Sequence, residues 1–187
     1  MIAIMQSDFL SCLSKMRHRE LPFSGQEMVF DVDDDVTSLY VVKFGLVHLQ
    51  RFREDGGVVV LQRAKTGNIL AEASVLSERY HCAAIAIQAS VLLAYPRKSV
   101  QDLLENSPEA ALAYARFLAT EMRAARKRAE ILALKTVSDR LTAWLTWNHG
   151  VSPARGAWHL VADEIGVSKE ALYRELSKRR KIQTSDF

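Results

Sequence analysis

The densest chemistry in this chain of 187 residues lies between residues 157 and 180. Ala162 is small enough to sit where two helices cross closely. Gly166 can supply a left-handed turn, Val167 can tuck between the helices, and Ser168 can cap the second one. The spacing predicts a helix-turn-helix, with helices at 157–165 and 168–180. Leu172 and Leu176 would face inward, leaving Ser168, Lys169, Glu170, Tyr173, Arg174 and Lys178 on the outer side. Arginine can engage both acceptors of guanine and a carboxylate can accept from the cytosine amine, so this face is suited to base edges. Lys178, Arg179, Arg180 and Lys181 form a basic run suited to phosphates. An ordinary helical hairpin with a solvated face is the alternative.

A second stretch with chemical content runs from residue 65 to 83. Gly67 marks a turn. Leu70, Ala71 and Glu72 lead into a short helix, and exposed N–H groups at such a start make an anion cradle. His81, Cys82 and Ala83 follow. Adjacent His and Cys suggest a metal, but neighbours on a strand point to opposite faces and chelate poorly, so no metal site is assigned. Asp31, Asp33, Asp34 and Asp35 resemble a calcium loop but lack its glycine and spaced terminal glutamate, and read as an acidic surface turn. No P-loop, nucleophile motif or metal-ligand cluster supports an enzyme. Ser11, Ser14, His18 and Glu20 lie close in sequence but read as a solvated helix end.

These two stretches need something to position them. Ser107, Pro108 and Glu109 are an N-cap hydroxyl, a first-turn proline and a first-turn acid, and no Gly or Pro follows until Gly150. A helix over 107–135 would span roughly 40 Å. Ala115, Met122 and Ala129 recur as heptad a positions, and Ala111, Leu118, Ala125 and Leu132 as d. Glu121 then falls at g and Arg126 at the next e, the pairing of a parallel two-stranded coil. Ala115, Leu118, Met122, Ala125, Ala129 and Leu132 are the candidate dimer seam. Leu112, Phe117, Ile131 and Leu134 are left to hold the neighbouring domains. Before this spine, short β-type runs at 28–30, 39–44, 46–52, 58–63, 83–88 and 91–95 suggest a sandwich or roll. Asp55, Gly56 and Gly57 mark a hairpin. Residues 7–17 predict a helix with Phe9, Leu10, Leu13 and Met16 on one face, broken by Leu21, Pro22 and Phe23. Residues 96–104 predict a short helix, Thr136 to Asp139 a fresh helix start, and 150–156 a linker.

Composition is that of an ordinary globular chain, 49% hydrophobic and 25% charged. The net charge of +3 is uneven: residues 1–115 carry 11 basic and 14 acidic side chains, whereas residues 116–187 carry 14 and 8. A basic C-terminal part fits a polyanionic partner at that end. No apolar run approaches the length of a membrane span, and Met1 to Gln6 carry no basic leader. Two cysteines, Cys12 and Cys82, make no disulfide framework, so a cytoplasmic location is expected.

Taken together, residues 42–47 (Val42, Lys43, Phe44, Gly45, Leu46, Val47), the Gly67 to Glu72 cassette, the long helix, Arg140-Leu141 and the helix-turn-helix carry a resemblance. From about residue 9 to 181 the chain resembles the Crp–Fnr transcription regulators. The resemblance implies an α+β fold: a cyclic-nucleotide-binding-like β-roll over 1–106, a dimerisation helix over 107–135 and a helix-turn-helix domain over 136–187. It implies a homodimer that reads a pseudo-palindromic DNA duplex, RNA polymerase as a further partner, and an effector held by Gly67, Leu70, Ala71, Glu72, His81, Cys82 and Ala83.

In the family's cAMP-binding members, the acid of a Gly-Glu pair takes the ribose hydroxyl, and the arginine of Arg-Ser/Thr-Ala pairs with the cyclic phosphate. Glu72 and Ala83 match here, but His81 and Cys82 stand at the arginine and hydroxyl positions. Replacing a charged, bidentate guanidinium by a mostly neutral imidazole costs on the order of a hundredfold in affinity. Usual cAMP binding is therefore not expected, and the effector or cofactor stays unknown. A register using Arg79 instead would misplace Ala83. Haem-sensing members use Cys and His from this region, which keeps a metal- or haem-sensing role for His81 and Cys82 as an alternative. An iron–sulfur sensor needs four cysteines. Only residues 181–187 follow Arg180, so the family's two-stranded wing is expected to be absent or truncated. The rival function is a ligand- or partner-binding module whose C-terminal domain no longer reads DNA.

Overall fold

The structure is a computed structural model that describes the backbone of residues 2–185 and the side chains of residues 8–181. The parts of the leader and wing expectations that fall on Met1, Asp186 and Phe187 lie outside the described residues. The chain divides into two compact units, Met1–Ala119 and Thr120–Phe187.

The first unit opens with α1 (Ile2–Ser14) and continues through β1 (Arg19–Phe23), β2 (Met28–Phe30), β3 (Ser38–Phe44), β4 (Leu46–Phe52), β5 (Val58–Lys65), β6 (Ile69–Leu70), a 3-10 helix (Glu72–Leu76), β7 (Ala83–Ala86), β8 (Ser90–Pro96) and α2 (Arg97–Asn106). The strands form two antiparallel four-stranded sheets, ordered β1-β8-β3-β6 and β2-β7-β4-β5. This is the β-roll that the short β-type runs predict. The strand β3 is covered on both faces. Tyr40 and Val42 point into the interior with Phe30, Leu70, Tyr80 and Cys82, while Leu39 and Val41 point to α1, α2 and the helix that follows. Tyr80 stacks on Phe30 at 3.6 Å and donates its phenol to the Ser38 carbonyl at 2.8 Å.

Two expectations need correcting here. The helix α1 already ends at Ser14, before Leu21, Pro22 and Phe23, and these three are not a mere break but part of β1, paired with β8 at the edge of its sheet. A proline is tolerated there because the missing N–H can face away from the single neighbour. The helix α1 begins before Ser7, with Phe9 and Leu13 fully buried and Leu10 and Met16 half-buried. The acidic residues 31–35 form a turn whose carboxylates serve their own backbone: Asp34 accepts from the Asp31 N–H and Asp31 from the Val32 N–H, both at 2.7 Å.

The helix α3 (Pro108–Ala133) spans 26 residues. Ser107 caps it by accepting from the Ala110 N–H at 3.2 Å. Ala113, Tyr114 and Phe117 on its first half pack into the first unit. Ala115, Met122, Ala125, Ala129 and Leu132 are exposed in the single chain. Leu118 is not: it is half-buried against the cluster of Phe9 and Phe117. Conversely Leu112, expected to hold the roll, is 52% exposed. The heptad assigned Leu118 and Leu112 by spacing alone. The roll covers a broader stripe of this helix, so Leu118 turns toward it and Leu112 away.

The second unit contains α4 (Val137–Trp147), α5 (Trp158–Glu164) and α6 (Lys169–Ser185). Thr136 caps α4, accepting from the Asp139 N–H at 3.0 Å. Leu141, Trp144, Val161, Ala162, Ile165 and Leu172 form the core, joined by Ile131 from the end of α3. Each such fully buried aliphatic side chain contributes about 2 kcal/mol, so this small core depends on every member. The helix α6 runs past Arg180 to Ser185, and among the described residues no strand follows it. Nor is any helix among them long and apolar enough to cross a membrane.

Candidate nucleic-acid interface and effector cassette

The turn between α5 and α6 is built as its residue types require. Gly166 has a φ of 66°. A Cβ placed there would meet Leu132 Cδ2 at 2.6 Å, so conformation and space both call for glycine. The Val167 N–H returns to the Ala162 carbonyl at 3.0 Å. Ser168 Oγ accepts from the Ala171 N–H at 3.1 Å and starts α6. Ala162 and Leu172 have no exposed surface, and Val167 and Leu176 pack against the same core.

This construction turns Lys169, Glu170, Tyr173, Arg174, Lys178 and Arg180 outward, where all are exposed. Glu170, Tyr173, Arg174, Ser177, Lys178 and Lys181 line an open concavity along the outer side of α6. Hydrogen bonds from its own N–H and the Ser168 hydroxyl, with Lys169 and Arg174 nearby, hold the Glu170 carboxyl below the usual range. The face thus offers an ionised acceptor between cationic donors.

Arg179 departs from expectation. Its Nε donates to Glu175 Oε1 at 2.8 Å, and its Nη2 reaches the Ser138 carbonyl at 2.8 Å, the Ser138 hydroxyl at 3.1 Å and the Thr142 hydroxyl at 2.8 Å. It points to α4 rather than to solvent, where a phosphate contact would need it. On a helix, Arg179 lies one turn beyond Glu175 and Leu176, on the side that packs against α4. The hydrogen bond from Arg179, then that from the Ser138 hydroxyl, depress the Glu175 carboxyl below the usual range.

Arg140 was quoted above only as part of a motif; the structure gives it a definite place. Its Nε donates to the Leu134 carbonyl at 2.8 Å and its Nη2 to the Leu132 carbonyl at 3.0 Å. Its Nη1 donates to the carbonyls of Ile165 at 3.2 Å and Gly166 at 2.9 Å. One guanidinium thereby serves the carbonyl ends of both α3 and α5. Charge and spacing do not reveal such a role in sequence.

The cassette in the first unit is equally definite. Gly67, with a φ of 85°, donates its N–H to the Val42 carbonyl at 2.8 Å. Leu70 lies in β6 and is buried, as is Ala71. Ala71 has a φ of 51° and a ψ of 44°, a left-handed conformation in a residue with a Cβ. The 3-10 helix after it is held at both ends. Tyr114 of α3 donates its phenol to the Glu72 carbonyl at 2.9 Å, while Arg97 and Gln101 of α2 donate to the Val75 carbonyl at 3.1 and 2.9 Å. Burial first and the Glu72 carboxylate second push the Tyr114 phenol up to about 12.

His81 is exposed whereas Cys82 and Ala83 are fully buried, so His81 and Cys82 face apart. Burial pushes the Cys82 thiol up, opposed by Arg51 and reinforced by Glu72. Arg51 of β4 donates to the His81 carbonyl at 3.2 Å. The strand pairing of Gln50 with Ala83 brings it there, a register that sequence does not show. Arg79 is engaged elsewhere, donating to the Asp33 carbonyl at 2.6 Å and pairing with Asp35 at 3.5 Å.

Residues 20–107 match the family model described as the cyclic nucleotide-binding domain. The chain is 25% identical over 170 residues to the nitrogen fixation regulation protein FixK of Bradyrhizobium diazoefficiens, covering 86% of this chain and 71% of that one. It is 21% identical over 136 residues to the fumarate and nitrate reduction regulatory protein of Vibrio cholerae, covering 73% of this chain and about half, 54%, of that one. The solved structure of FixK2 from Bradyrhizobium japonicum superposes with a TM-score of 0.69 at 19% identity, covering 90% of this chain and 87% of that chain.

Proposed function

We propose that the chain is a transcription regulator of the Crp–Fnr kind, like the regulators it is similar to, and that it works as a homodimer that reads a specific, pseudo-palindromic DNA site under control of an effector in the β-roll. Like the regulators it is similar to, it is not an enzyme. The observation that carries the proposal is the outer face of α6, where Lys169, Glu170, Tyr173 and Arg174 stand exposed together at the start of a helix set by Gly166 and Ser168. Arg174 supplies the fork for guanine, Glu170 an acceptor for a base amine, and Lys178, Arg180 and Lys181 the phosphate contacts.

Two copies brought together along Ala115, Met122, Ala125, Ala129 and Leu132 of α3 would present two such faces to successive major grooves. A parallel arrangement keeps both on one side. An effector at Gly67, Leu70, Ala71, Glu72, Cys82 and Ala83 would act on α3 through the bond from Tyr114 to Glu72. Exposed His81 in place of arginine argues against cAMP in the usual mode. RNA polymerase is the further partner this role calls for.

The test is fluorescence anisotropy of a duplex selected from a random-sequence pool, compared with a scrambled duplex, at physiological salt. The selected duplex should bind at least about a thousandfold more tightly. Equal affinity for both would refute the reading in favour of a module that no longer reads DNA.

A further inference from the structure

The helix α6 carries the outward side chains, and among its described side chains the apolar anchorage is concentrated at Leu172 and Leu176. One turn beyond Leu176 the hold on α4 passes to polar groups. Arg179 bonds the Ser138 carbonyl, the Ser138 hydroxyl and the Thr142 hydroxyl of α4 while Glu175 pins its Nε from the same helix. Glu175 and Arg179 together are mostly covered, with side-chain exposures of 13% and 28%. A guanidinium is planar and its donors are fixed relative to one another, so engaging these acceptors at once sets direction as well as distance. On the opposite side of the same turns lie Arg174, Lys178 and Lys181, along the concavity of α6. Any rotation of α6 about its long axis that moved Arg174 would have to break the Arg179 bonds to α4.

We propose that Arg179 is a positioning residue for sequence reading: it fixes the rotation of α6 against α4 and so the aim of Arg174 and Glu170, without touching DNA. This rests on the DNA-reading function proposed above. It separates Arg179 from its basic neighbours Lys178, Arg180 and Lys181, whose charge alone suggests one shared role. A phosphate contact contributes to affinity for every sequence and to its salt dependence. A positioning residue contributes to the preference for one sequence and leaves the salt dependence alone.

The experiment measures two quantities for each full-length protein: the affinity ratio of a selected duplex to a scrambled one, and the slope of log affinity against log salt. The proteins are wild type, Arg179→Lys, and the double variant Ser138→Ala/Thr142→Val, which removes hydroxyl acceptors from α4 and leaves every charge in place. Arg179→Lys keeps the charge but loses the fork. The expected result is a fall in the ratio of at least about tenfold, the discrimination carried by one misread base pair, in both variants, with the slope unchanged. Wild-type ratios in both variants, measured below their unfolding transitions, would overturn the proposal in favour of a merely stabilising role. An equal loss of affinity for both duplexes in Arg179→Lys, with the ratio intact and the double variant at the wild-type affinity, would overturn it in favour of a phosphate contact. If Arg179→Lys does not fold, the double variant decides by the same criteria. A wild-type protein with no sequence preference would instead remove the DNA-reading function, and this proposal with it.

Discussion

The phenol of Tyr114 and the main-chain carbonyl of Glu72 lie 2.9 Å apart, joining the spine helix to the cassette of the roll by one half-buried hydrogen bond. Tyr114→Phe keeps the ring and removes the donor, leaving the Glu72 carbonyl short of a partner. The expected cost is about 1–2 kcal/mol in denaturant unfolding. The phenol is pushed up to about 12 by burial and by Glu72, so the folded state holds this proton more tightly than the unfolded chain. Its share of stability is complete below the ordinary tyrosine pKa near 10 and is lost as pH rises toward about 12. Stability should therefore fall more gently from pH 10 to 12 in Tyr114→Phe than in wild type. An unchanged slope would contradict the burial of this phenol beside Glu72.

Arg174 and Lys178 are adjacent on the outer face of α6 but have different jobs in the proposed complex. Arg174→Ala should erase most of the preference for a selected duplex, about 1–3 kcal/mol per half-site. Lys178→Ala should weaken binding to all sequences alike and make the salt slope shallower by about 0.9. Salt titrations of both variants on selected and scrambled duplexes check this. Identical behaviour of the two would contradict it.

Met122 is 50% exposed in the single chain, in the middle of the apolar stripe of α3. Met122→Arg places two like charges opposite each other in a parallel pair. Light scattering should report monomers, and specific DNA binding should drop with them. A dimer of normal affinity would rule out this seam. Leu118 is the poorer probe, because it is half-buried against Phe9 and Phe117 and its loss would disturb the fold as well.

Ala71 holds a left-handed backbone at a φ of 51°. Ala71→Gly should relieve the clash of its Cβ and raise stability by up to about 1 kcal/mol, partly offset by the greater freedom of glycine in the unfolded chain. Thermal unfolding of the variant reads this directly, and a lower midpoint would contradict it.

Features fixed by short-range chemistry were legible in the sequence. Ser107 and Thr136 cap helices where the sequence placed them, and Gly166 and Ser168 make the turn expected of them. Short β-type runs between turns marked most strands of the roll. What escaped was decided by partners distant in the chain. Pro22 looked like a breaker until an edge position in a sheet gave it a place. Leu112 and Leu118 share a heptad's logic, and only the packing of the roll shows which one it covers. Arg179 and Arg180 are equal in sequence; the hydroxyls of Ser138 and Thr142, some forty residues upstream, draw Arg179 alone inward. Arg51 reaches His81 only through the pairing of β4 with β7.

Leu132 Cδ2 fills the space that a Cβ at Gly166 would need, and the residue leaves 39% of its surface free. Its main-chain carbonyl takes one bond of Arg140, which also holds Ile165 and Gly166. A mutation here is pleiotropic by construction. A larger or smaller side chain chosen to tune subunit affinity would also press on, or undercut, the turn that aims the reading helix. With the proposed seam and the proposed reading helix meeting at this side chain, subunit pairing and DNA-site choice would not drift independently there. A lineage that changes one must carry compensating changes at Gly166 or Arg140, and an engineer who grafts a new reading head should move Leu132 and Arg140 with it.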